Sequence, residues 1–306
     1  RSLPARGSAL RLVIRIGPAG WSYPDWEGRV YPEHKPPGFH ALAYLAQWFE
    51  LVEIDATFYA QPRPENAQRW VQLAAQHERF RFTAKLLKEF THAPEPEDPR
   101  AWTPLAEQFR RGLEPLWRAK RLWCLLAQFP ASYHWSPTHL RRIGRLRALF
   151  DPWPMTVELR HRSWFEPPQL DALRGLGVTL AHVDLPPSWN HPPAWFSPFS
   201  ARGYLRLHGR NEATWFRQGV GRDARYDYLY SSKELDEIHQ RAARLAREVD
   251  EVAVVTNNHF RGAAVANALQ LAALIAQTPV PGPAEIVTAY PHLGTFVRVE
   301  GQQNLF

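Results

Sequence analysis

The sequence predicts an α/β fold, a TIM-like (β/α)8 barrel of parallel strands in a single domain. Three observations predict it. Short apolar, β-rich runs recur at fairly even intervals. Helical patterns separate them, which favours parallel pairing. Dividing 306 residues by eight gives about 38 per unit, the size of a barrel repeat with loop insertions.

The expected strands are Leu12–Gly17, Leu51–Asp55, Phe80–Lys85, Leu122–Gln128, Met155–Arg160, Val178–Val183, Gly203–His208 and Val252–Asn257. Each is apolar on both faces, as a strand buried on both sides must be. Helices are expected where apolar residues fall at i, i+3, i+4, i+7. Leu42, Leu45, Ala46 and Phe49 do so, and so do Ala67, Trp70, Val71 and Ala74, after Pro64 at a tolerated first-turn position. Ala242, Leu245, Ala246 and Val249 repeat the spacing, as do Val265, Ala268, Leu269 and Ala272. Weaker patterns cover Trp102–Lys120, Thr138–Phe150 and Gln169–Gly175, and the Pro/Trp-rich stretch Pro186–Ser200 reads as a loop. A doubly wound sheet would place a glycine-rich phosphate loop after the first strand. Gly17-Pro18-Ala19-Gly20-Trp21 is a poor version of one, so the barrel is favoured. The expected organisation is an N-terminal extension over 1–11, the barrel over 12–278 and a C-terminal extension over 279–306.

Composition excludes other classes. With 45% hydrophobic residues and 13 Trp the chain can form a core, and one Cys cannot staple a disulfide module. No uncharged apolar run approaches the roughly 20 residues that span a bilayer, and Arg1–Arg11 does not read as a secretory signal. No membrane association and a cytoplasmic location are expected; oligomeric state is left open. The net charge of +7 is carried almost wholly by Arg, since only 5 of the 37 Lys+Arg are Lys. Arginine grips phosphate and carboxylate bidentately, so the charge permits an anionic partner without demonstrating one.

In such a barrel, active sites form at the C-terminal strand ends. There the sequence places Trp21 and Tyr23, Glu53 and Asp55 with Tyr59, Lys85, Gln128, Glu158, Arg160 and His161, Asp184, Arg206 and His208, and Asn258 and His259. Strand alternation puts Glu53 with Asp55, Glu158 with Arg160, and Arg206 with His208 on shared faces. Desolvating so many polar groups is costly without pairing or a ligand. They either form internal ion pairs that hold the barrel together or serve acid–base and phosphate chemistry.

Seven ordered motifs between Ile16 and Leu274 resemble a known family, domain-of-unknown-function family 72, the YecE-like proteins. They are Gly20-Trp21-Ser22-Tyr23-Pro24-Asp25-Trp26; Val52 to Tyr59; Phe82-Thr83-Ala84-Lys85; Val157 to Phe165; Arg206-Leu207-His208-Gly209; Tyr226 to Tyr230; and Asn257-Asn258-His259 with Gly262, Ala264 and Asn267-Ala268. The resemblance implies a TIM-like barrel and supplies no established reaction. Asp55 and Ala56 depart from the family's usual Asn-Ser pair, which adds a charge at that position.

The function expected is binding of an anionic, phosphate-bearing ligand, as a hydrolase or lyase on nucleic acid or a sugar phosphate. Glu53, Glu158, His161, Asp184 and His208 are the candidate catalytic groups, with Arg160, Arg206 and Lys85 as phosphate binders. A divalent metal held by these His, Glu and Asp residues and His259, as in barrels similar to endonuclease IV, is one form of that chemistry, although no HxH or HExxH spacing is present. Glycoside hydrolysis by two carboxylates and non-catalytic binding of a metabolite or nucleic acid are the alternatives. Lys85 is also a Schiff-base candidate. Cys124, in the apolar run Leu122–Leu126, is expected to be inert.

Overall fold

The computed structural model describes residues 13–299 apart from Phe216, Gln218 and Val220. The extension expected over 1–11 lies outside the described residues, as do Leu12 and the last seven positions. In chain order the elements are β1 (Val13–Pro18), α1 (Ala41–Ala46), β2 (Leu51–Ile54), α2 (Pro64–Leu73), β3 (Arg81–Lys85), α3 (Lys88–Thr91), α4 (Trp102–Arg118), β4 (Leu122–Gln128), α5 (Pro137–Leu149), β5 (Met155–Glu158) and α6 (Pro167–Gly175). Then follow β6 (Thr179–Leu180), β7 (His182–Asp184), β8 (Arg202–Leu207), α7 (Glu212–Trp215), α8 (Arg222–Arg225), α9 (Ser232–Glu248), β9 (Glu251–Thr256), α10 (Ala263–Ala276), β10 (Val280–Gly282), α11 (Ala284–Ala289) and β11 (Val297–Val299). Seven of the eight apolar runs read as strands each coincide with one strand, the eighth, Val178–Val183, spans two, and Pro186–Ser200 carries no helix or strand.

All strand pairs are parallel, as expected. The ladders, however, fall into a sheet of four (β1-β9-β8-β7) and a sheet of five (β2-β3-β4-β5-β6) rather than one uninterrupted ring of eight. The expected strand Val178–Val183 is split between the sheets at Ala181, whose N–H turns back to Val157 of β5 at 2.9 Å. At the other junction β1 meets β2 through one bridge, Ala19 with Glu53, and the Gly20 N–H donates to the Glu53 carbonyl at 2.9 Å.

That second junction depends on Gly17. A Cβ there would stand 1.6 Å from the Leu51 carbonyl oxygen, which is backbone and cannot swing away. Gly17→Ala should therefore force β1 off β2 and destabilise the protein by about 3 kcal/mol, the upper end of ordinary overpacking costs. A urea midpoint within experimental error of the parent protein would refute this role for Gly17.

The helices bury their apolar faces on the outside of the strands. Where they start is set locally: α2 begins at Pro64, and Ser231 with Glu234 forms a capping box at α9. A smaller buried cluster, including Leu51, Cys124, Leu126, Tyr204, Ala253 and Val255, draws on strands of both sheets and so lies between them. Burial pushes the Cys124 thiol up to about 12, which keeps it protonated and unreactive. Along this inner face the residues change from apolar to polar toward the C-terminal ends: Leu51 then Glu53, Tyr204 then Arg206, Val255 then Asn257. Alternation with period two thus carries the ionisable groups to one mouth. Beyond α10, β10 pairs with β11, and Ile286 and Leu293 are fully buried. No helix of the described residues is long and apolar enough to cross a membrane.

Candidate functional site at the strand ends

Arg206 is the centre of the mouth. Its side chain is 1% exposed and bridges two fully buried carboxylates. Nη2 donates to Glu53 Oε1 at 2.5 Å, Nε to Glu53 Oε2 at 3.1 Å, and Nη1 to Glu158 Oε2 at 3.2 Å. Tyr204 completes Glu53 through its hydroxyl at 2.7 Å and is itself met by Thr83 at 3.2 Å. Glu158 Oε1 accepts from Arg160 Nε at 2.7 Å and His208 Nε2 at 3.1 Å. Asn257 Nδ2 lies 3.1 Å from His208 Nδ1. The amide donates there, so the proton of a neutral imidazole resides on Nε2 and faces Glu158.

The charges follow from this arrangement. Burial pushes Glu158 up, but Arg160, His208 and Arg206 outweigh it and hold the carboxyl well below its usual range. Burial lifts Glu53 above its ordinary value, against Arg206 and with help from Asp55. Burial, opposed by Glu158 and reinforced by Arg160 and Arg206, pulls His208 down to about 3, so it is neutral at physiological pH.

Above this floor the groups become accessible. Lys85 Nζ stands 3.6 Å from Asp55 Oδ1 and 4.4 Å from the centre of the Phe58 ring, with no hydrogen bond among the described residues. Arg206 Nη2 is 3.9 Å from the same Asp55 oxygen, which accepts no hydrogen bond among the described residues. Burial raises the Asp55 carboxyl, yet Lys85, Arg206 and His259 together bring it below its usual value. Asp55 also lines an open cleft of about 240 Å³ with Trp21, Tyr23 and Tyr59. Tyr23 stacks on His259 at 4.6 Å, Tyr226 lies 5.3 Å from His259, and Trp215 sits under the Arg160 guanidinium at 6.0 Å. Aromatic rings therefore wall a partly charged opening.

The structure joins Glu53, Asp55, Lys85, Glu158, Arg160, Arg206 and His208 into one network and brings Trp21, Tyr23, Tyr59 and His259 to its rim. Other candidates lie elsewhere. Asp184 is buried in a separate cluster, accepting from Arg210 Nε and Nη2, Tyr230 and Arg241 at 2.8 Å each. His161 caps the turn Arg162–Trp164 through the Ser163 N–H at 3.3 Å and meets the Ser163 hydroxyl at 2.8 Å. Gln128 pairs in register with Glu158 but donates to the Phe129 carbonyl at 3.2 Å. Asn258 spends its amide on the Tyr228 carbonyl and Asn267 Oδ1, at 2.8 and 2.9 Å.

This dispersal does not fit a metal. Among the described residues no three His, Cys, Asp or Glu side chains are placed to hold an ion. Glu53 and Glu158, fully buried and saturated by six hydrogen bonds, are also poorly placed as a glycosidase pair, which must reach the sugar. Tyr204 was absent from the sequence-based reading of the mouth, and Thr83, Asn257 and Tyr226 entered it only as parts of motifs or strand ends, with no site role. Tyr204 was findable, since it precedes Arg206 and His208 on the same strand face. Trp215 and Tyr226 come from the segment after β8, which carries no periodic signal, so the sequence could not place them at the mouth.

Known proteins resemble this chain over most of its length. A curated relative, UPF0759 protein YunF of Bacillus subtilis (strain 168), is 27% identical over 273 residues, covering 86% of this chain and 95% of that protein. A crystal structure of a DUF72 family protein from Thermotoga maritima MSB8 superposes with a TM-score of 0.74 at 33% identity, covering 86% of this chain and 99% of that one. A DUF72 family protein from Enterococcus faecalis V583 gives a TM-score of 0.74 at 25% identity, covering 86% and 96%. Residues 15–286 match the family described as protein of unknown function DUF72, and the chain belongs to that family.

Proposed function

We propose that the mouth binds an anionic, phosphate-bearing ligand and that the protein acts on it as a hydrolase or lyase, the substrate being a sugar phosphate or nucleic acid. The observation that carries this reading is the spare donor capacity of two accessible cations. The Lys85 ammonium makes no hydrogen bond among the described residues and stands 3.6 Å from Asp55, and Arg160 commits Nε to Glu158. Both face a partly desolvated mouth, where a charge-assisted bond to phosphate gains most. Arg206, Glu53, Glu158 and His208 act as positioning residues, because hydrogen bonds to one another saturate the two carboxylates. Asp55 is the acid–base group of this proposal, since its carboxylate lines the cleft.

Titration calorimetry at low salt, with ribose 5-phosphate and with a short single-stranded oligonucleotide, tests the reading. Lys85→Ala and Arg160→Gln should each weaken binding about tenfold or more. Asp55→Asn restores the residue usual in the family, so it should bind normally while product release falls about 100-fold. Absence of binding by the parent protein to either probe would remove the proposal. Trp189, 79% exposed, and Tyr59, 57% exposed, favour the nucleic-acid form, since bases stack on open aromatic faces. In that case log affinity falls steeply with log salt, and a flat profile leaves the sugar phosphate.

A further inference from the structure

The opposite ends of the strands form a second concave surface. Arg81 begins β3, Trp123 lies at the start of β4, Arg202 begins β8 and Glu251 begins β9. With Trp117 and Lys120, from α4 and the turn after it, they line a cleft of about 580 Å³, a volume typical of small-molecule sites.

Its charges do not balance. Glu114 is engaged by Arg118 at 2.8 Å, and Glu251 by Trp123 Nε1 at 2.8 Å and Arg15 at 3.4 Å. Among the described residues no carboxylate stands at ion-pair distance from Arg81, Lys120, Arg202 or the adjacent Arg121. The guanidiniums are fixed by carbonyls instead. Arg81 donates to Glu78 and Phe80 at 2.7 and 3.0 Å, Arg121 to His77 and Phe80 at 2.5 and 3.1 Å, and Arg202 to Trp123 at 2.5 Å. Carbonyl bonds orient a guanidinium without cancelling its charge. Burial, with Arg15 and Arg121 adding repulsion, outweighs the attraction of Glu251 and Glu50 and lowers Arg81 below its ordinary value. An anion entering the cleft would relieve this crowding.

We propose that this cleft is a second anion site, distinct from the mouth, that takes a ligand with adjacent phosphates. Arg81, Lys120 and Arg202 hold the phosphates from three separate elements, and Trp117 and Trp123 form the walls. The spread of three cations over such a volume suits a diphosphate better than a single phosphate. The proposal stands without the mouth's assignment.

The test uses the full chain carrying Lys85→Ala and Arg160→Gln, so that the mouth is disabled. Inorganic pyrophosphate and ADP are titrated calorimetrically at low salt. About one equivalent of pyrophosphate should still bind, and adding Arg81→Gln with Lys120→Gln should weaken it about tenfold or more. Tighter binding of ADP assigns the half-buried Trp117 indole a part in recognition; equal binding assigns recognition to the phosphates alone. A second measurement needs no variant. Pyrophosphate should protect Lys120 of the parent protein from an amine-acetylating reagent, read by peptide mass, while exposed Lys233 reacts at an unchanged rate. No binding with the mouth disabled, binding indifferent to Arg81 and Lys120, or an unprotected Lys120 overturns the proposal.

Discussion

Arg206→Met should cost the protein about 3–5 kcal/mol of stability at pH 7, the penalty for stranding a buried charge. The side chain it removes is 1% exposed and serves two carboxylates that are 0% exposed. The losses are unequal. Glu158 keeps Arg160 and His208, whereas Glu53 keeps the Tyr204 hydroxyl and the more distant Lys85. Glu53 is already raised by burial while Arg206 pulls it down, so without Arg206 it rises further. The direction of the pH effect follows. A carboxyl with a raised folded pKa binds its proton in the folded state at a pH where the unfolded chain has released it. Stability then increases as pH falls through the folded value toward the unfolded one. The gap between Arg206→Met and the parent protein should accordingly narrow as pH falls toward 4.5. Parent stability runs the other way through His208, whose depressed pKa of about 3 makes protonation cost stability below pH 6.5. The double variant Glu53→Gln/Arg206→Met removes both charges and should recover most of the loss, a non-additivity that marks direct coupling. Chemical denaturation of the four proteins of this cycle decides it. A single-variant loss below about 1 kcal/mol, or no rescue by Glu53→Gln, would show that the bridge is not holding the sheets together.

The strands were legible because a strand buried on both faces must be apolar along its length, as in Leu122–Leu126. The mouth was legible because period-two alternation carries Glu53, Lys85, Arg160, Arg206 and His208 to one end. What alternation cannot show is which of these groups find each other and which remain for a ligand. The sequence treats Glu53 and Asp55 alike, yet one is saturated by Arg206 and Tyr204 and the other borders an open cleft. The break into two sheets was equally hidden. It turns on Ala181 bonding back to β5 and on the close approach of Gly17 to Leu51, both set by tertiary contact. Asp184 shows the same limit: its position at a strand end is correct, but its partners Arg210, Tyr230 and Arg241 are 26, 46 and 57 residues away.

Those partners give Asp184 its expected effect. Its carboxylate gathers the end of β7, the segment after β8 and helix α9 through four bonds of 2.8 Å. Asp184→Ala leaves the buried Tyr230 hydroxyl without this acceptor and two arginines, 23% and 17% exposed, facing each other. The expected loss is about 2–4 kcal/mol, moderated by the water that reaches both guanidiniums. Its location matters for the mouth. Tyr230 also accepts the Gly209 N–H at 2.9 Å, and residues 209–230 include Trp215 and Tyr226, which wall the opening. Hydrogen exchange should therefore accelerate across 209–230 in Asp184→Ala while β2 to β5 stay protected. The pH sign is the reverse of that for Glu53. Burial raises Asp184, but Arg210, Arg241 and Tyr230 bring it below 3.8. Its contribution is thus complete above 3.8 and lost as pH falls through the folded value. Parent and variant should differ by a constant amount from pH 7 to pH 5 and converge only in stronger acid. Uniform acceleration of exchange over both sheets would make Asp184 a general stabiliser rather than an anchor for the mouth's wall.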